Sequence, residues 1–209
     1  MNMSLSVQNI SCLRAGRAIF ENLSFDLKKG DCLVLRGPNG SGKTTLLKTL
    51  AGILPSATGE IHCDPAQISY AGHLDAIKAQ LTVRENLTFW AGIYDAGNLD
   101  RVLSEFDLTT LADRYGQTLS AGQRRRLGLA RMILTECQIW LLDEPTNSLD
   151  AEHAAIFAKA VNKHCSNGGV AVLSSHIDLH IPNTQTLDLS DFAPTGATET
   201  DPFLQGGFS

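Results

Sequence analysis

Residues Gly37-Pro38-Asn39-Gly40-Ser41-Gly42-Lys43-Thr44-Thr45 bring together the groups that bind a phosphate chain. Glycines spaced as G-x-x-x-x-G let the backbone turn tightly and aim successive N–H groups inward at phosphate oxygens. Lys43 supplies a mobile cation for the β- and γ-phosphates, and the Thr44 hydroxyl suits Mg²⁺. The run from Thr44 to Leu50 is helical in pattern and stops at Gly52 and Pro55. The loop therefore leads into a helix N-terminus, whose N–H groups and dipole favour anions. A triphosphate chain with Mg²⁺, held by Gly37–Thr45, is the expected ligand set.

Ile139-Trp140-Leu141-Leu142-Asp143-Glu144 supplies a second chemical element. Four apolar residues make a buried strand that delivers two carboxylates to its C-terminal end, where ligands bind in α/β sheets. Asp143 is placed for the magnesium shell, and Glu144 to polarise and orient an attacking water. Adjacent carboxylates repel, and a nearby divalent cation explains how both stay charged.

These groups need a scaffold. Short β-like runs alternate with helical patterns, which predicts an α/β fold with a mostly parallel sheet. Leu5–Val7 and Ile19–Leu27 have no helix between them and predict a small antiparallel layer. Cys32–Leu35, Glu60–Cys63 and Ile68–Tyr70 read as further strands; Ile139–Leu142 and Val170–Leu173 are of the continuous, buried parallel type. Leu99, Val102, Leu103 and Phe106 fall on one helix face, and Ile156, Phe157, Ala160 and Val161 mark a covering helix. One domain is expected over residues 1–192, with a helical subdomain at about 77–128 and a loosely ordered tail at 193–209.

Composition excludes several roles. Seventeen Lys and Arg stand against 22 Asp and Glu, for a net charge of −5 and no long basic run, so no nucleic-acid partner is expected. No segment reaches the about 18–20 apolar residues of a membrane span, and the start lacks a secretory pattern. The five cysteines are scattered without C-x-x-C and read as reduced core thiols.

Leu119-Ser120-Ala121-Gly122-Gln123 resembles the signature of ABC ATPases, with Ala121 where Gly is commoner. The resemblance spans about residues 5–190 and implies a P-loop NTPase fold of the ABC ATPase type. It also implies that Ser120, Ala121, Gly122 and Gln123 meet the γ-phosphate of a nucleotide held by a second copy of the chain, through a helix N-terminus. Arg124-Arg125-Arg126 reads mostly as a solvated helix face, with only Arg126 at a frequent family position. Leu149-Asp150 matches the family's D-loop; Asp150 could equally cap the helix that begins at Ala151. His176 resembles the switch histidine that contacts the γ-phosphate and positions water and base, which makes Glu144, His176 and Lys43 the implied catalytic set.

Two positions depart from the pattern. His73 stands where the Q-loop glutamine is usual; it still offers a donor or acceptor toward magnesium-bound water and is expected to couple nucleotide state to a partner. Arg14 stands where an aromatic usually stacks on adenine; its guanidinium can stack on a base, with a solvated arginine the equal alternative.

Ala71-Gly72-His73 through Ile77-Lys78 to Leu81-Thr82-x-x-Glu85-Asn86-Leu87 is similar to the ATPase subunit of the bacterial cytochrome c maturation complex, the haem exporter type. That resemblance implies a homodimer on the cytoplasmic face of the inner membrane, bound peripherally to a polytopic permease and working with other cytochrome c maturation proteins. ATP hydrolysis would energise haem export or release of a haem-loaded periplasmic chaperone. No direct haem binding is expected, and an ABC transporter for another substrate is the alternative. Phe89, Trp90, Ile93 and Tyr94 suit either a groove for a permease helix or core packing.

Overall fold

Alternating apolar side chains build the first layer. In the computed structural model, which describes residues 3–94, 97–175 and 179–194, β1 (Met3–Arg14) and β2 (Arg17–Lys28) pair as an antiparallel hairpin. Leu5, Val7, Ile10, Phe20, Leu23 and Leu27 of this hairpin are buried. β3 (Cys32–Arg36) leads through the glycine loop into α1 (Lys43–Leu50). β4 (Thr58–His62) returns to the other edge of β1 and completes the expected antiparallel layer in the order β2-β1-β4.

β5 (Ile68–Ala71) opens the second half. Three helices follow before the next strand: α2 (Val83–Tyr94), α3 (Leu99–Glu105) and α4 (Ala121–Leu134). Then come β6 (Ile139–Asp143), α5 (Ala151–Ser166), β7 (Val170–Ser174) and β8 (Thr184–Asp188). The five-stranded sheet has the order β5-β6-β7-β3-β8, and its pairings are parallel.

The apolar strands are continuous because both faces of the sheet are covered. Leu33, Leu35, Ile139, Leu141, Val170 and Val172 pack with α1 and the antiparallel layer. Their alternates, Cys32, Val34, Trp140, Leu142, Ala171 and Leu173, pack with the helical side. One face therefore anchors the phosphate loop and the other carries α4 and α5. Truncating fully buried Leu141 to Ala would cost about 2–5 kcal/mol, and it would loosen the strand that carries both carboxylates.

Two elements differ from the sequence reading. α4 runs on to Leu134, past the predicted end of the helical region near 128. β8 escaped notice because Thr184–Asp188 is a mostly exposed edge strand, with only Leu187 half-buried, and lacks an apolar alternation. Beyond it a short 3₁₀ turn covers Leu189–Phe192. Residues 195–209, on which most of the expected tail falls, lie outside the described residues.

Candidate active site

The glycine loop joins a buried strand to a helix with no side-chain cap and no acidic residue in its first turn. That leaves the first N–H groups of α1 for an anion. Gly42 has φ +102°, and a Cβ there would lie 2.6 Å from Ile19 Cγ2 of β2. Only glycine allows the loop to lie this close to the antiparallel layer. Pro38, Asn39 and Gly40 are exposed, whereas Thr44 and Thr45 are half-buried. Ser41 Oγ is buried without a hydrogen-bond partner, an orphan polar group inside the loop.

Lys43 is buried, and its Nζ donates to the carbonyls of Gly37 (2.7 Å) and Pro38 (3.0 Å). These neutral acceptors hold the cation within the loop; phosphate oxygens are the stronger ones. Thr44 Oγ1 donates to Asp143 Oδ1 at 3.1 Å and links the loop to the end of β6.

Asp143 is fully buried. Its Oδ1 also accepts from Ser174 Oγ at 2.9 Å, while Oδ2 accepts no well-formed hydrogen bond. His73 Nε2 stands 3.3 Å from that second oxygen, so the segment after β5 reaches the carboxylate as well. Burial, then the negative charge of Asp143, push the Tyr70 phenol up to about 12. A buried carboxylate oxygen lacking a donor costs about 1–3 kcal/mol or more. A small divalent cation shared with the Thr44 hydroxyl would relieve that cost, and this donor set is of the kind Mg²⁺ takes.

Glu144 is nearly buried and adopts φ +46°, the left-handed region. Its N–H donates to Ser174 Oγ at 2.8 Å. Ser174 lies opposite Asp143 in the parallel register of β6 and β7, so a single hydroxyl orients both members of the carboxylate pair. Sequence reading passed over Ser174; the signal available was a polar residue one step past a continuous apolar strand. Ser174→Ala should remove the bond to the Asp143 carboxylate and leave the Glu144 N–H unpaired. We expect a melting temperature lower by about 5–10 °C and turnover lower by about tenfold, read by thermal denaturation and phosphate release.

The signature segment begins α4. Ser120 Oγ accepts from Gln123 N at 3.2 Å, and Gln123 Oε1 accepts from Ser120 N at 2.9 Å, a reciprocal capping box. Ser120 and Ala121 are exposed, and Gly122 lies against the Ser148 carbonyl. Asp150 caps α5, accepting from His153 N (2.9 Å) and pairing with His153 Nδ1 (2.7 Å). The cap role weighed for it is thus present. A cleft of 130 Å³ is lined by His73, Ala121, Glu144 and Ser148 among others. A larger cleft of 310 Å³ beside Trp140 and His164 shares none of these residues.

The arginine run is not a solvated face. Arg125 and Arg126 are buried. Arg126 binds the carbonyls of Phe106 and Asp107 and the Asp107 carboxylate at 2.8 Å. Those hydrogen bonds, first from Arg126 and then from His153, hold the Asp107 carboxyl below its usual range. Arg125 reaches the carbonyls around Asp143. The missed signal was position: Arg125 precedes Leu129 by four residues on a helix, and Leu129 is core.

Arg14 lies exposed at the end of β1, beside the hairpin turn. His176 lies outside the described residues.

The ABC transporter family profile matches residues 20–147, from β2 to just beyond the carboxylate pair. The chain belongs to the ABC transporter family, and it is an ATP-hydrolysing domain of that type. At finer grain it is 48% identical over 200 residues to the cytochrome c biogenesis ATP-binding export protein CcmA of Cereibacter sphaeroides, covering 96% of this chain and 95% of the relative. It is 50% identical to the protein of the same description from Paracoccus denitrificans, covering 92% and 91%. Among solved structures, an ABC transporter ATP-binding protein from Pyrococcus furiosus shares the fold, with TM-score 0.80, 23% identity and coverage of 91% and 99%. A metal-chelate type ABC transporter in an inward-facing conformation gives TM-score 0.75 and 30% identity, with coverage of 90% and 80%.

Proposed function

We propose that this chain is the ATPase subunit of a cytochrome c biogenesis transporter, and that its hydrolysis site is completed by a second copy of itself. One observation carries the reading. The phosphate loop and strand-end carboxylates are linked through Thr44, Asp143 and Ser174, in a chain that resembles cytochrome c biogenesis ATP-binding export proteins over nine-tenths of its length.

In this mechanism the β- and γ-phosphates replace the Gly37 and Pro38 carbonyls as acceptors for Lys43. Mg²⁺, held by the Thr44 hydroxyl and the Asp143 carboxylate, supplies charge neutralisation when bound. Glu144 accepts a hydrogen bond from the water that attacks the γ-phosphate in line, and the buried turn around it fixes its direction. Ser120 and Gly122 of the second copy close the site with hydroxyl and N–H donors at a helix N-terminus. His176 positions water and base, a role that rests on the resemblance alone. His73, within reach of Asp143 Oδ2, ties the metal carboxylate to the segment that faces the partner. Arg14 offers a planar face for the adenine.

Among the described residues no helix is long and apolar enough to cross a membrane, so the reading requires a polytopic permease, with this subunit peripheral on the cytoplasmic face. Phe89, Ile93 and Tyr94 of α2 and Leu74 after β5 are exposed, while Val83, Leu87 and Ala91 fill the core. Trp90 is half-buried and packs against the core, as the packing reading has it, so the docking reading rests on the exposed Phe89, Ile93 and Tyr94. Hydrolysis would drive haem export or release of a haem-loaded periplasmic chaperone.

Deleting the gene should abolish haem-stained c-type cytochromes, with rescue by the wild-type chain. Retention of those cytochromes would instead favour a transporter for another substrate. A tagged wild-type chain should copurify with a polytopic membrane protein from detergent extracts, and Ile93→Asp should lower that recovery severalfold. Equal recovery would remove α2 as the docking face.

A further inference from the structure

We infer that Arg125 is a positioning residue of the hydrolysis site, fixing the segment 72–75 and the turn after β6 in one relation through α4. The inference rests on Asp143 and Glu144 being the carboxylates of hydrolysis.

Its guanidinium is saturated. Nε donates to Pro145 O at 3.0 Å, and Nη2 donates to Asp143 O at 2.9 Å and Glu144 O at 2.8 Å. Nη1 donates to Gly72 O at 2.8 Å and to Asp75 Oδ1 at 3.1 Å. Arginine carries five N–H donors in a rigid fork, one on Nε and two on each Nη. Here every donor has an acceptor, and the acceptors come from two separate stretches of chain. The carbonyls of Asp143, Glu144 and Pro145 all converge on this one group. Glu144, the middle one, is the residue with positive φ. A backbone conformation that side-chain-bearing residues disfavour persists only where its surroundings hold it. Arg125 does so from the carbonyl side and Ser174 from the N–H side.

The other arm of the fork grips the segment that bears His73. That histidine reaches the Asp143 carboxylate, while Gly72 and Asp75 on either side of it are tied to Arg125. Residues 72–75 therefore touch the metal-binding end of β6 by two routes, one through a side chain and one through the guanidinium. The helix surface is shaped for this contact. Gly128 lies three residues after Arg125 on α4, and a Cβ there would fall 2.9 Å from both the Cβ and the carbonyl oxygen of Asp75. Leu74, between the two anchored neighbours, projects outward and is 88% exposed. A push on this segment is thus delivered to the Asp143–Glu144 turn by Arg125. Lysine could not replace it, because three donors on one atom cannot span acceptors on both sides.

The test compares the full-length wild-type chain with R125K, D75N, R125K/D75N and G128A, measuring kcat, KM for ATP, binding of a fluorescent ATP analogue, and melting temperature. R125K should lower kcat by about 30-fold with KM and analogue affinity within about threefold, because Lys43 and the loop are untouched. D75N should lower kcat by about fivefold alone and add nothing in the R125K background, since the two act as one unit. An Arg125 that merely fills the core would give effects that multiply, or losses of kcat and affinity that track melting; either overturns the inference. If R125K does not fold, D75N and G128A decide, as both keep the guanidinium. Reduced kcat at unchanged KM in both supports it, and wild-type kcat in either sinks it. E144Q is run alongside: wild-type turnover there would refute the catalytic reading of the carboxylates, whereas an inactive E144Q together with multiplying R125K and D75N effects refutes only the role of Arg125.

Discussion

Glu144→Gln should leave ATP binding intact and lower turnover by about 100- to 1,000-fold, the range expected for losing a positioned base or water-orienting group. The substitution keeps the shape of the side chain. It also keeps the backbone contacts that hold the turn, namely the N–H to Ser174 and the carbonyl to Arg125. What disappears is the negative charge beside a buried strand end. Binding should therefore survive, since the groups proposed to hold phosphate lie on the loop and on α1 rather than on Glu144. A titration with a fluorescent ATP analogue checks affinity, phosphate release checks turnover, and size-exclusion chromatography with ATP should show an accumulating dimer. Wild-type turnover would exclude Glu144 from the chemistry.

Lys43→Ala should do the reverse and weaken ATP binding itself by about 10- to 100-fold. That corresponds to about 1.5–3 kcal/mol for a charge-assisted hydrogen bond in a largely desolvated site. In the free chain the ammonium is engaged with the Gly37 and Pro38 carbonyls, so its removal also releases two acceptors at the loop. The ligand-free protein should melt only a few degrees lower, because losing the two ammonium–carbonyl hydrogen bonds is offset by no longer burying a cation. The larger sign would be loss of the stabilisation that ATP confers on the wild type, since bound ligand raises stability in proportion to RT ln(1 + [L]/Kd). Calorimetric titration with unchanged affinity would contradict the placement of Lys43 on the phosphates. Taken together the two variants separate binding from chemistry within one site.

What was readable in the chain divides along physical lines. The phosphate loop, the carboxylate pair and the Asp150 cap are legible because local sequence determines them. A turn needs glycine at fixed spacing, and a strand end presents whatever follows its apolar run. The sheet was legible for the same reason, since burial on both faces leaves unbroken aliphatic strands such as Leu33–Leu35 and Val170–Leu173. Contacts between distant segments were not. Ser174 matters because the register of β6 and β7 places it opposite Asp143, and no single segment encodes a register. Arg125 and Arg126 look like surface charge until tertiary packing brings carbonyls to them. β8 was missed because an edge strand needs no apolar pattern of its own.

The capping box at Ser120 carries a consequence for which residues that position can tolerate. Capping uses a lone pair, since the hydroxyl oxygen accepts the Gln123 N–H, and the hydroxyl proton remains available to point away from the helix. Asp or Asn would cap α4 as well as serine does. An aspartate there, however, would present negative charge and no proton to an incoming phosphate, and an asparagine would bring a larger group. Threonine keeps both halves of the hydroxyl and only adds a methyl. Tolerance at residue 120 therefore tells two demands apart: if helix stability alone ruled, the acidic cap would serve, and only a requirement for an outward-facing donor restricts the choice to an alcohol.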